Sequence, residues 1–193
     1  MPDQILFRTH VKYVLAIKTP LARQLYGVAL GMANSLSHLV FSARQRLPPD
    51  RCKQVTALAF EIVYGLQSRL NNEKAALQAQ QIKPVTIFPV QLNKELLFCY
   101  HGSIAIMQML VDLDKLAQHW HGLCSLGKLS RDEFNQKHQE WRAQFRRASV
   151  QLNTLKRSWW LGKEQHYSPK RNRIAGTVPP GQQADQQSGA AVA

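Results

Sequence analysis

Lys83-Pro84-Val85-Thr86-Ile87-Phe88-Pro89-Val90-Gln91-Leu92 is the stretch on which the fold turns. It is rich in β-branched and aromatic residues and breaks the helical period on either side, so it reads as a strand. Pro84 and Pro89 have no N–H to give to a ladder, which restricts the strand to an edge or a two-stranded ribbon. Thr86, Phe88, Val90 and Leu92 share one face, and Lys83, Val85, Ile87, Pro89 and Gln91 share the other. Neither face is strongly polar, so both are expected to be covered, at least in part.

Upstream the chain reads as helical. Thr19-Pro20 is a helix entry, with Thr as N-cap and Pro at the first helical position. That helix is expected to run to about Arg44. Gly27 and Gly31 share one of its faces and either admit a neighbouring helix closely or merely weaken this one. Pro48-Pro49-Asp50 ends it and opens a second helix, from Arg51 to about Gln80, with an apolar stripe through Val55, Leu58, Ile62, Leu66, Leu70 and Leu77. The short connection predicts an antiparallel pair. The opening segment, Gln4 to Lys18, reads either as a strand or as the start of a helix.

Downstream a third helix is expected from Glu95 to Trp120, with Gly122 to Gly127 as the turn. Ser130-Arg131-Asp132-Glu133 is a capping box and starts a fourth helix. Its apolar residues Phe134, Trp141, Ala148 and Leu155 are seven apart, with Phe145, Leu152 and Trp159 as a second row. Such a seam packs on a long partner helix, in the same chain or in a second copy. Three regions follow: residues 1–82, an N-terminal strand or arm with a helical hairpin; 83–167, a strand-helix-helix core; and 168–193, a basic run and then a Gly, Pro, Gln and Ala tail expected to be disordered.

Charge points to the partner. Lys and Arg number 25 against 12 acidic residues, a net charge of +13. That excess attracts polyanions, and each cation that meets a phosphate releases a condensed counterion. Arg131, Arg142, Arg146 and Arg147 are the expected phosphate contacts on the fourth helix. Lys83, Gln91 and Lys94 on or beside the strand are further candidate contacts, with Arg8 and Lys12 of the opening segment behind them.

Other classes find less support. The start has no basic and apolar signal pattern, and no window approaches a membrane span, so a cytoplasmic location is expected and no membrane. Cys52, Cys99 and Cys124 are too scattered for a disulfide framework. His119, His121 and Cys124 lie close in sequence, but two histidines two apart on a helix diverge, so no metal is expected. Asp112 and Asp114 diverge likewise and read as surface ion-pair partners. No phosphate loop, nucleophile elbow or HExxH occurs, so no enzyme, cofactor or small-molecule ligand is expected.

Three pieces taken together carry a resemblance. Thr86 to Leu92, a helix closing on Leu110-Val111-Asp112-Leu113-Asp114-Lys115-Leu116, and Leu129-Ser130-Arg131-Asp132-Glu133-Phe134 resemble, in order and spacing, the AcaB-like family. These are proteins of conjugative plasmids and integrating elements, once known only as a domain of unknown function. The resemblance runs from Thr86 to about Arg147. It implies a transcriptional regulator, an activator of transfer genes, that binds double-stranded DNA as a homodimer through a ribbon-helix-helix-like core. The fold class is then mainly α with a short β element and unusually long helices. In such a core each chain gives one strand to a ribbon in the major groove. The opening segment is a rival ribbon or a partner strand. From another function class, the seam fits a helical adaptor or accessory protein of a conjugation or relaxosome machine equally well.

Overall fold

The computed structural model describes residues 11–79, 89–98 and 100–167, with side chains described as far as Trp159. Two strands and four helices follow in the order β1 (Val11–Ile17), α1 (Pro20–Arg46), α2 (Pro49–Gln78), β2 (Leu92–Phe98), α3 (His101–Ser125) and α4 (Arg131–Tyr167). One compact unit ends at Ser158, and the last turns of α4 belong to a second unit.

Val11 to Ile17 of the opening segment form a strand, and residues 4–10 lie outside the described residues. β1 pairs antiparallel with β2, with Val11 opposite Phe98, Val14 opposite Glu95 and Ile17 opposite Leu92. The ribbon therefore draws both strands from a single chain. β2 lies further along than the sequence suggests. Positions 80–88, which hold most of the expected strand, fall outside the described residues, and Pro89, Val90 and Gln91 precede the strand rather than form it. Pro89 cannot donate, and the Gln91 N–H makes the first contact, to the Ile17 carbonyl at 2.8 Å. Glu95 to Phe98, expected as helix, are strand. Pairing with β1 overrides the helical preference of Lys94-Glu95-Leu96-Leu97.

Alternation fixes which side of the ribbon is dry. Leu15, Ile17 and Phe98 are buried, and Tyr13 on the same side donates to Gln108 of α3 at 3.0 Å. The inner face thus packs on α3. α1 and α3 supply comparable shares of the core, and Leu21, Leu25, Met32, Leu36 and Leu39 of α1 are all but inaccessible. Burying each such side chain is worth about 1.5–3 kcal/mol. α1 and α3 approach closely at Gly102, where a Cβ would stand 2.5 Å from the Tyr100 ring and 3.1 Å from Leu36. Ser103 beside it is buried and donates to the Ala33 carbonyl at 2.7 Å.

α3 runs beyond Trp120 to Ser125, and Gly127, at φ 68°, ends it. The Lys128 N–H bonds back to the Leu123 carbonyl at 2.9 Å, a turn that needs the left-handed backbone glycine adopts at little cost. The capping box forms as read: Glu133 accepts from the Ser130 N–H and hydroxyl, both at 2.8 Å, and its own N–H donates to Ser130 Oγ at 3.2 Å. The seam of α4 packs within the chain, where Trp141, Phe145, Ala148 and Leu152 are buried. Trp141 Nε1 donates to Glu73 of α2 at 3.3 Å.

Asp114 departs from expectation. It is a buried carboxylate rather than a surface ion-pair partner, 3% exposed. It accepts from the Thr19 N–H and Thr19 hydroxyl, both at 2.7 Å, from the Lys18 N–H at 3.1 Å and from Gln118 Nε2 at 3.1 Å. It bolts α3 to the β1–α1 junction. Asp112 behaves as read, bridging Lys74 at 3.1 Å and Lys115 at 3.7 Å.

Candidate nucleic-acid interface

The outer face of the ribbon is open. It carries Lys12, Val14 and Ala16 from β1 and Asn93, Glu95 and Leu97 from β2, all exposed. Lys12 Nζ and Glu95 lie 2.7 Å apart, a diagonal cross-strand ion pair. Val14 and Leu97, each 63% exposed, stand beside it. The face therefore offers one cation, one carboxylate, one amide and three apolar side chains.

The residues expected from sequence fall in several places. Arg8 and Lys83 lie outside the described residues. Lys12 is on the outer face. Gln91 is half-buried before β2, with its backbone engaged by Ile17. Lys94 has the parity of Leu92, Leu96 and Phe98, the side turned to α3, yet stays exposed. Arg131 is exposed at the start of α4, where the Glu133 carboxylate already engages the cap. That carboxylate is held below its usual range by hydrogen bonds from Ser130, so the helix start is supplied with negative charge. Arg146 and Arg147 are exposed on opposite flanks of α4, and Arg147 faces Arg69 and Glu61 of α2. The structure thus brings together Lys12 alone with the ribbon face, and separates it from the α4 arginines.

Sequence reasoning missed Asn93 and Glu95 as outward residues. The parity of Leu92, Leu96 and Phe98 carries that signal once the segment is read as strand. It also missed the cations of the α1–α2 turn, Arg44, Arg46, Arg51 and Lys53, all exposed and spread over two helix ends.

Arg142 is half-buried beside a histidine cluster. His121, Phe134 and His138 stack at the α3–α4 corner, with His121–Phe134 at 4.5 Å, Phe134–His138 at 4.1 Å and the two imidazoles at 6.0 Å. Burial, then His121, then Arg142 push His138 down to about 4, and burial lowers His121. Both rings fold neutral at pH 7. A depressed histidine contributes stability that is complete above about 6.5, the unfolded value, and is lost as pH falls towards the folded one. Between pH 7 and pH 5 the protein is expected to lose about 1–2 kcal/mol through this corner, after discounting for solvent. His138→Phe is expected to flatten that part of the profile. Urea titrations at both pH values, with equal losses in parent and variant, would refute the assignment. Among the described residues no three His, Cys, Asp or Glu side chains cluster to hold a metal ion, and no helix is long and apolar enough to cross a membrane.

No protein-family model and no curated protein sequence matches the chain. A solved structure does resemble it: the crystal structure of selenomethionine-containing AcaB from uropathogenic E. coli. The two superpose with a TM-score of 0.67 at 12% identity, over 84% of this chain and 90% of that one. At that identity the likeness is one of fold, and the chain has an AcaB-like fold.

Proposed function

We propose that this chain is a cytoplasmic, sequence-specific DNA-binding protein that activates transcription of conjugative transfer genes. It acts as a homodimer and reads duplex DNA with the outer face of the β1–β2 ribbon. The observation that carries the reading is that ribbon: two antiparallel strands, packed on α3 on one side and exposed on the other, in a chain of net charge +13. The AcaB-like fold and the family resemblance from Thr86 to Arg147 support it.

The dimensions suit the task. Seven-residue strands span about 23 Å, and a major groove about 12 Å wide admits a two-stranded ribbon. The chemistry of the outer face matches base edges. Lys12 can donate to guanine O6 and N7, Asn93 can pair with adenine N6 and N7, and Glu95 can accept from cytosine N4. Val14 and Leu97 can meet thymine methyls. The Lys12–Glu95 pair opens on binding, which costs little because exposed pairs are worth about 0–1 kcal/mol. No catalytic step is assigned.

Selection of binders from a random duplex pool tests the reading. Enrichment of an inverted repeat is expected, because a symmetric dimer reads two half-sites. A pool that stays random after several rounds would remove sequence-specific binding.

One feature favours the second reading, a helical adaptor of a conjugation machine. An open groove of about 720 Å³ runs between α2 and α4, lined by Leu58, Ile62, Leu66, Ala148, Val150 and Leu155 among others. Leu58 and Val150 are exposed in it, at 48% and 63%. A partner helix could lie there. Under this reading the pool stays random, and Val150→Asp disrupts binding to the partner protein.

A further inference from the structure

Carboxylates are missing from one helix and from the middle of its neighbour. α1 has no Asp or Glu in its whole length, and α4 has none from Trp141 to Lys163. The described acidic residues lie instead on α2, β2, α3, the first three turns of α4 and, as Glu164, its last turn. The two helices lie side by side. Ser35 Oγ donates to Asn153 Oδ1 at 2.9 Å. α2 turns back along α1, and Glu73 near its end meets Trp141 of α4 while Leu58 nearer its start lines one groove with Leu155, so α2 opposes both helices and α1 and α4 run parallel. Helical spacing then places Arg142 and Arg146 on the flank of α4 that carries Asn153, pointing to the α1 side.

The same side of α1 bears Gly27 and Gly31. Both are exposed, and a Cβ on either would meet nothing within 4 Å. They do not seat a helix of this chain, and each costs about 0.5–1 kcal/mol relative to alanine. What they leave is bare backbone on the α1 side, beside the cations of α4. From Arg142 to Lys156 the track is about 21 Å long, roughly six base-pair rises.

Carboxylate-free cationic surface is what a polyanion requires, because any acid on the track would repel it. The spacing along one track suits successive phosphates better than a compact anion. We infer that the α1–α4 face is a second DNA-contacting surface, separate from the ribbon, on which Arg142, Arg146 and Lys156 of α4 hold the phosphodiester backbone of duplex DNA. It rests on the DNA-binding reading above and gives that reading its backbone contacts. The division of labour is then physical: the ribbon reads bases, and this face supplies affinity without sequence information.

The test uses the full chain with Arg146→Gln and Lys156→Gln together, and with Asn93→Ala as the ribbon comparison. Affinity for a random duplex is measured against salt, with a thermal melt to show that each variant folds. The double variant is expected to bind at least tenfold more weakly at low salt. Its log–log salt slope should be shallower by about two, with sequence preference unchanged. Asn93→Ala is expected to lower the preference between duplex sequences, which the double variant keeps. If the double variant keeps the parent's affinity and slope, this face is not the backbone surface, while the ribbon reading stands. If the parent binds no duplex, both fall. Two further arms replace duplex by single-stranded DNA and by vesicles of phosphatidylserine and phosphatidylcholine. Loss of binding confined to either of those arms would assign the face to that partner and overturn the duplex assignment.

Discussion

Asp114→Ala is expected to destabilise the protein by about 3–5 kcal/mol, a large part of the roughly 5–15 kcal/mol that holds a domain folded. The carboxylate is dry and stands at the start of α1, where the first backbone N–H groups have no helical partner and the helix dipole is positive. It accepts from Thr19 twice, from the Lys18 N–H and from Gln118. Removing it leaves those donors buried without an acceptor, and each such group costs about 1–3 kcal/mol. It also frees the junction that sets the ribbon against α3. Asp114→Asn keeps one acceptor oxygen but turns an NH2 towards donors, and about 2–3 kcal/mol is expected. Urea denaturation measures both. A loss below about 1 kcal/mol for the alanine variant would mean that water or a rearranged side chain replaces the carboxylate, and the junction would not depend on it.

Asn93→Ala combined with Glu95→Ala is expected to cut discrimination between an upstream region of the same genetic element and a random duplex by about 10- to 100-fold. The two residues supply an amide and a carboxylate to the outer face, and neither touches the core. Affinity for the random duplex is expected to stay within about threefold, or to rise, because a carboxylate leaves a surface facing phosphates. Stability is expected to change by less than about 1 kcal/mol, the worth of the cross-strand pair with Lys12. An unchanged preference, measured by competition between the two duplexes, would take base reading away from the ribbon.

The local signals were legible, and the long-range ones were not. Thr19-Pro20 announced α1, Ser130-Arg131-Asp132-Glu133 announced α4, and the rows through Trp141 and Phe145 marked the buried face of that helix. Each depends on a few adjacent residues. β2 was misplaced because Leu92 to Phe98 is a strand only by virtue of Val11 to Ile17, some eighty positions earlier in the chain. In isolation Lys94-Glu95-Leu96-Leu97 prefers a helix. Asp114 was misread for a related reason. Its donors come from Lys18 and Thr19, and only its place one turn after the buried Leu110, with buried Ala117 and Gln118 following, hinted that it faces inward. The candidate site divided in the same way. The excess of cations was plain, while their grouping required the pairing of α1 with α4. The absence of acid from α1 is visible in the sequence, yet it acquires meaning only beside a helix that shares it.

Fluorescence anisotropy of labelled duplexes against the full chain, over a range of salt, tests the central claim most directly. A steep salt slope is expected for any duplex, with tighter binding to the upstream region of the element than to random sequence. Equal affinity for both duplexes, or no binding even at low salt, would contradict it.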